Sequence, residues 1–184
     1  AQLEIALMML QFDDALEDKQ LNQMIAIFKQ YKVKHIVDAA GIRLALERVD
    51  IVPSELALMQ AANESAWGTS RFARIGLNFF GQWCYKKGCG MVPNARKVGA
   101  NHEVAAFNSV TEAVQHYLYN INSNKAYQVF RNIRTQLRQQ QQPLSAQVLA
   151  TGLLAYSERG SAYVLEITQM IRQNQDYFQE GKAE

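Results

Sequence analysis

Residues 53–68 read PSELALMQAANESAWG, an amphipathic helix carrying its own start and stop signals. Pro53 and Ser54 open it, with Ser54 expected as the N-cap. Leu56, Met59, Ala62, Ala66 and Trp67 recur at helical spacing, and Gly68 is the expected stop. That spacing puts Glu64 on the last turn, beside Gln60, Ala61 and Trp67. Shortly after it the texture changes. Residues 76–107 hold Gly76, Gly81, Gly88, Gly90 and Gly99, five of the chain's ten glycines, together with Pro93 and both cysteines. This segment reads as loops or a short hairpin ending at Val104–Phe107.

Outward from this junction the pattern is helical on both sides. Residues 3–31 read as one or two helices broken near Asp13 and Asp14, and a further helix is expected from Val33 to Leu46. Downstream, Ser109 and Glu112 have capping-box spacing. Val110, Ala113, Val114, Tyr117, Leu118 and Ile121 then form one apolar stripe. Ala126, Val129, Phe130, Ile133 and Leu137 mark the next helix, followed by one over residues 145–155 and a last one from Ser161. With 184 residues, 48% hydrophobic, and three prolines, the chain suits a helix-rich globular fold. The expected architecture is mainly α (α+β): a bundle of helices interrupted once by an irregular, glycine-bearing lobe.

Composition excludes several classes. Nineteen basic against seventeen acidic residues, a net charge of +2, do not make a nucleic-acid binder. The leading apolar run, Ile5–Leu10, is far short of the roughly 20 residues that span a bilayer, so no transmembrane segment is expected. The sequence starts at Ala1 rather than Met, which places any secretion signal upstream. Phosphate loops, dinucleotide fingerprints, serine elbows and zinc-protease motifs are missing.

Chemistry concentrates at the junction. A carboxyl at a helix C-terminus, among apolar and aromatic neighbours, is pushed toward its neutral form, as a general acid requires. Glu64 is that carboxyl. Phe79, Phe80, Trp83 and Tyr85, interleaved with Asn78 and Gln82, offer apolar faces and amides of the kind that sugar rings need. The same aromatics also suit a core beneath the loop; Phe79 or Phe80 is expected inside, and Trp83 is the better ligand surface. Cys84 and Cys89 form a disulfide or, alternatively, a metal site with His102 and His116, or remain buried thiols; the disulfide is favoured. Arg131, Arg134 and Arg138 share one helix face and read as a solvated basic stripe. His35 reads as structural.

Four ordered segments carry a family resemblance: LMQAANESAWGTSRFA (58–73), NFFGQW (78–83), FNSVTEA (107–113) and LAYSERGSAY (154–163). They resemble glycoside hydrolase family 73, bacterial β-N-acetylglucosaminidases that cut peptidoglycan. QWC (82–84), GCGMVP (88–93) and the tyrosine segment look most like its Bax-type subgroup. The resemblance spans about residues 48–175. It implies a lysozyme-like fold, with a helical lobe, a small β-hairpin lobe and a groove between them, in which residues 1–47 are an N-terminal helical extension packed on the core and residues 48–184 the catalytic domain. It further implies cleavage of the β-1,4 bond after N-acetylglucosamine, a peptidoglycan glycan strand as partner, a periplasmic or otherwise exported location, and no metal or organic cofactor. Glu64 falls on the family's general acid, and Tyr156 on a tyrosine that positions or stabilises the reacting sugar. Trp67, Asn78, Phe80, Gln82, Trp83 and Glu158 are the expected substrate-binding residues.

The sequence departs from the family at the second carboxylate. A Thr-x-Glu-Tyr motif is replaced here by Met91, Val92 and Pro93, and spacing then nominates Glu103. An N-acetyl sugar also supplies its own acetamide nucleophile. Two other functions compete: a muramidase or lytic transglycosylase of lysozyme-like fold, and a non-catalytic glycan-binding or adaptor domain.

Overall fold

A computed structural model describes residues 2–11, 15–93, 99 and 102–180. The chain runs through α1 (Gln2–Gln11), α2 (Asp18–Gln30), α3 (Ala39–Arg48), α4 (Ser54–Glu64) and α5 (Arg71–Gly76). Three short strands follow: β1 (Trp83–Cys84), β2 (Gly90–Met91) and β3 (Glu103–Ala105). The helical body resumes with α6 (Val110–Ser123), α7 (Gln128–Gln139), α8 (Ala146–Ala150), α9 (Ser161–Gln173) and α10 (Gln175–Glu180). Two 3₁₀ segments, Lys125–Tyr127 and Thr151–Tyr156, link α6 to α7 and extend α8. The fold is mainly α with one small antiparallel sheet. Among the described residues no helix is long and apolar enough to cross a membrane.

The apolar stripes close into two clusters. Leu56, Tyr117, Ile121, Phe130, Leu149, Leu153 and Ile167 belong to the main one, built by α4 and α6–α9. Leu3, Met24, Phe28, Ile42 and Ala45 belong to a separate cluster within α1–α3. The expected break near Asp13 and Asp14 lies outside the described residues; the helices on either side end at Gln11 and start at Asp18. The third helix starts later than its apolar pattern suggests, because Asp38 caps it by accepting a 2.7 Å hydrogen bond from the Gly41 N–H. At the sixth helix Ser109 accepts from the Glu112 N–H as its cap. The Glu112 carboxylate reaches one residue further back and accepts from the Asn108 N–H.

The arginine face of α7 is a correction. Arg131 and Arg134 are 0% and 1% exposed, so they form no solvated stripe. Arg131 donates to the carbonyls of Ile121 and Asn124 at the end of α6. Arg134 donates to the carbonyls of Glu47 and Ile51, and Arg138 makes a two-pronged pair with Asp50. Helix ends leave carbonyls without partners, and guanidinium groups satisfy several at once. These contacts fasten α3 and the segment after it to the helical body.

The glycine-bearing segment is a three-stranded sheet, with β3 in the centre, rather than a lone hairpin. Trp83 pairs with Val104 and Cys84 with Glu103 on one side; Gly90 pairs with Ala105 and Met91 with Val104 on the other. At Gly90 a Cβ would stand 1.9 Å from the Val104 carbonyl oxygen, so only glycine permits this approach.

Candidate active site

Helix α4 ends on Glu64, one turn earlier than its apolar pattern suggests, and Ser54 lies inside the helix with Pro53 at the cap. The chain leaves through a left-handed turn: Ala66 and Trp67 have φ of 50° and 56°. The Trp67 N–H closes back on the Ala62 carbonyl at 2.7 Å, and the Ser65 hydroxyl accepts from the Gly68 N–H. This turn swings Trp67 away from the helix and leaves it 65% exposed. Trp67 therefore does not continue the apolar face of the helix.

The Glu64 carboxyl is partly buried, and burial pushes its pKa above the usual carboxylate value. The Tyr163 hydroxyl, the charge of Arg159 and the Asn63 side chain pull the other way, while Glu166 adds to the rise. Behind it lies a closed set of polar groups. Tyr117 donates to Gln60 Oε1 at 2.7 Å, and Gln60 Nε2 donates to the Tyr163 hydroxyl at 2.9 Å. Gln60, Tyr117 and Tyr163 are all buried.

The opposite wall comes from the loop before β1. Gly81, at φ +62°, packs so closely on Glu64 that a Cβ there would lie 3.2 Å from Oε2. Asn78 shapes this loop. Its amide donates to the carbonyls of Gln82 and Ala105, and its Oδ1 accepts from the N–H groups of Phe80 and Gln82. All four of its hydrogen-bonding positions are thus used inside the protein. Gln82 is likewise buried, bonding the Ala113 carbonyl and His116. Phe80 is buried too, stacked on Tyr117 with ring centroids 4.1 Å apart. Asn78, Phe80 and Gln82 therefore build the wall from within.

Trp83 stands half exposed, stacked on His102 at 4.1 Å, and presents the aromatic face suited to a sugar ring. Glu158 is exposed. Tyr156 is partly buried; its hydroxyl donates to the Phe80 carbonyl at 3.0 Å and its ring stacks on Tyr163. It thereby joins the helical body to the loop carrying Gly81.

Glu103 is buried in β3, and its two oxygens accept from the N–H groups of Gly88 and Gly90 at 3.0 and 2.9 Å. It holds the turn between β1 and β2. Cys84 and Cys89 close the same turn as a disulfide. With the sulfurs bonded to each other, no thiolate is left for a zinc site with His102 and His116.

A helix-borne glutamate at the seam of a helical body and a small sheet, with an exposed tryptophan on the sheet side, is the layout of a glycan-cleaving enzyme. The chain belongs to the glucosaminidase family of glycoside hydrolases: the family model described as mannosyl-glycoprotein endo-β-N-acetylglucosaminidase matches residues 39–176. Among curated proteins, Protein bax of Escherichia coli (strain K12) is 38% identical over 151 residues, which are 81% of this chain and 53% of that protein. The chain spans about half the length of that relative. No solved structure matches it significantly.

Gln60 and Gly81 had no sequence signal of their own beyond proximity to Glu64 and membership in a glycine-rich loop. Tyr163 lies 103 residues from Gln60. Nothing local links the two; only the tertiary fold does.

Proposed function

We propose that this chain hydrolyses the β-1,4 bond after N-acetylglucosamine in peptidoglycan glycan strands, with Glu64 as general acid. One observation carries the reading: the only carboxyl at the seam among the expected catalytic residues is Glu64, partly buried, shifted toward its neutral form and walled by Gly81. The Glu64 proton passes to the glycosidic oxygen as the C1–O bond breaks and the bonding pair leaves with that oxygen. Positive charge develops at C1 and the ring oxygen. The carbonyl oxygen of the sugar's acetamide then bonds to C1, and water later displaces it, returning a proton to Glu64.

The acetamide is favoured over Glu103 as the nucleophile because both Glu103 oxygens are engaged by backbone amides. Tyr156, anchored on the Phe80 carbonyl, is suited to steady the sugar at this step. Trp67, Trp83 and Glu158 are accessible to the strand, whereas Asn78, Phe80 and Gln82 act by shaping its wall. The Cys84–Cys89 disulfide supports an exported protein working in an oxidising envelope compartment such as the periplasm.

Digestion of purified sacculi followed by mass spectrometry tests this. Reducing N-acetylglucosamine ends are expected, and Glu64→Gln should lower their release by at least about 10³-fold while the fold is retained. Anhydro-muramyl products would make the chain a lytic transglycosylase. Glycan binding without cleavage, unaffected by Glu64→Gln, would make it an adaptor.

A further inference from the structure

Gly81, whose backbone walls Glu64, has no side chain with which to hold its own place. A Cβ there would lie 3.2 Å from Glu64 Oε2, so the position of this residue sets the room left to the carboxyl. Its two neighbours fix it, and both are tied to α6. Phe80 stacks on Tyr117, and its carbonyl accepts from the Tyr156 hydroxyl. Gln82 has its backbone held by Asn78 and by the Ala105 N–H, and its side chain reaches α6.

The Gln82 amide meets two partners on that helix, and only one orientation serves both. The Ala113 carbonyl can only accept, so Gln82 Nε2 faces it and donates at 3.1 Å. Gln82 Oε1 then faces His116 Nδ1. An amide oxygen can only accept, so Nδ1 must carry the proton of the neutral imidazole. Burial lowers the pKa of this ring against the charge of Glu112, and the charged ring keeps the same Nδ1–H, so the tie holds in both states. Gln82 is buried, where an unmatched amide costs more than at the surface. We infer that His116 is a positioning residue: through Gln82 it holds the Gly81 backbone against the Glu64 carboxyl. This rests on the reading of Glu64 as general acid. His116 is exposed and 34 residues away from Gln82 in sequence, so nothing local marks it.

The test is digestion of peptidoglycan by the whole chain, with kcat and KM for reducing-end release measured separately. His116→Leu removes the donor and should lower kcat about 10-fold, because small misplacements at a reacting centre are costly. KM should stay within about twofold, since the tie does not contribute to binding the strand. His116→Asn keeps a nitrogen donor in the place of Nδ1 and should recover most of the lost kcat. His116→Gln carries its nitrogen in the place of Nε2 and should not. Gln82→Met should lower kcat at least as far as His116→Leu, and combining the two should add nothing, because both break one tie. Thermal unfolding checks that each variant folds. His116 is exposed, so its series decides the matter even if Gln82→Met does not fold. Independently of activity, nitrogen NMR of the unsubstituted chain should show the neutral His116 ring in its Nδ1–H form. An Nε2–H ring, an asparagine variant no better than the leucine one, or a rise in KM at unchanged kcat overturns the inference. Glu64→Gln, measured alongside, separates the failures. If it retains activity, the reading of Glu64 is wrong; if it is inactive and the His116 variants match the unsubstituted chain, only the positioning role is wrong.

Discussion

In the helical body the side chains that join one element to the next are Leu56, Ile121, Phe130, Leu149 and Ile167, all fully buried and apolar. In the three-stranded lobe the corresponding work falls to Asn78, Gln82 and Glu103, buried and polar, and to a disulfide. The difference follows from size. Strands of two or three residues cannot bury a large apolar face, whereas several helices packed together can. The lobe is instead held by hydrogen bonds of buried polar side chains, most of them to backbone groups. Arg131 and Arg134 apply the same device inside the helical body, where α6 and α3 expose their terminal carbonyls.

This contrast can be broken most directly at Asn78. Asn78→Ala removes two donated and two accepted hydrogen bonds to buried backbone groups. A loss on the order of 3–5 kcal/mol is expected in denaturant unfolding. That matches the roughly 2–5 kcal/mol expected for Ile121→Ala in the helical core. A cost below about 1 kcal/mol for Asn78→Ala would mean that the lobe is not held by its polar groups.

Gly81 tests the seam. Gly81→Ala forces a left-handed residue to carry a Cβ 3.2 Å from Glu64 Oε2. Displacing the carboxyl by a fraction of an ångström to an ångström should lower kcat by up to about 10²-fold while leaving most of the stability. Unfolding in place of inactivity would move Gly81 from the chemistry to the architecture.

Reduction of Cys84–Cys89 is the mildest perturbation. Opening so short a loop should cost roughly 2 kcal/mol. The loss should appear as faster amide exchange in β1 and β2 and altered Trp83 fluorescence, with exchange in α6 and α9 unchanged. Loosening of α6 or α9 would show that the two regions are one cooperative unit.

The helical body was legible because burial imposes a 3.6-residue period on its sequence, as in Val110, Ala113, Val114, Tyr117, Leu118 and Ile121. The lobe was legible only as an interruption. Nothing periodic marks Asn78 or Glu103 as a buried clamp, since a polar residue in a loop reads as solvated until its partners are known. The same limit misread Arg131 and Arg134, whose partners are carbonyls on other helices. It also read Asn78, Phe80 and Gln82 as sugar contacts without showing that all three are buried.

The sequence by itself determined the mainly α architecture, the place of the loop-rich interruption and the family, and it nominated Glu64 as the proposed acid. Each of these is written in local pattern: spacing, caps, breakers and motif order. Tertiary structure alone decided what surrounds that carboxyl. The Gln60 amide, bonded to Tyr117 and Tyr163, and the Gly81 backbone against the carboxyl are set by contacts between distant segments. Their strength depends on burial. A hydrogen bond gains its leverage on a proton only once water is excluded, and that exclusion belongs to the packed fold.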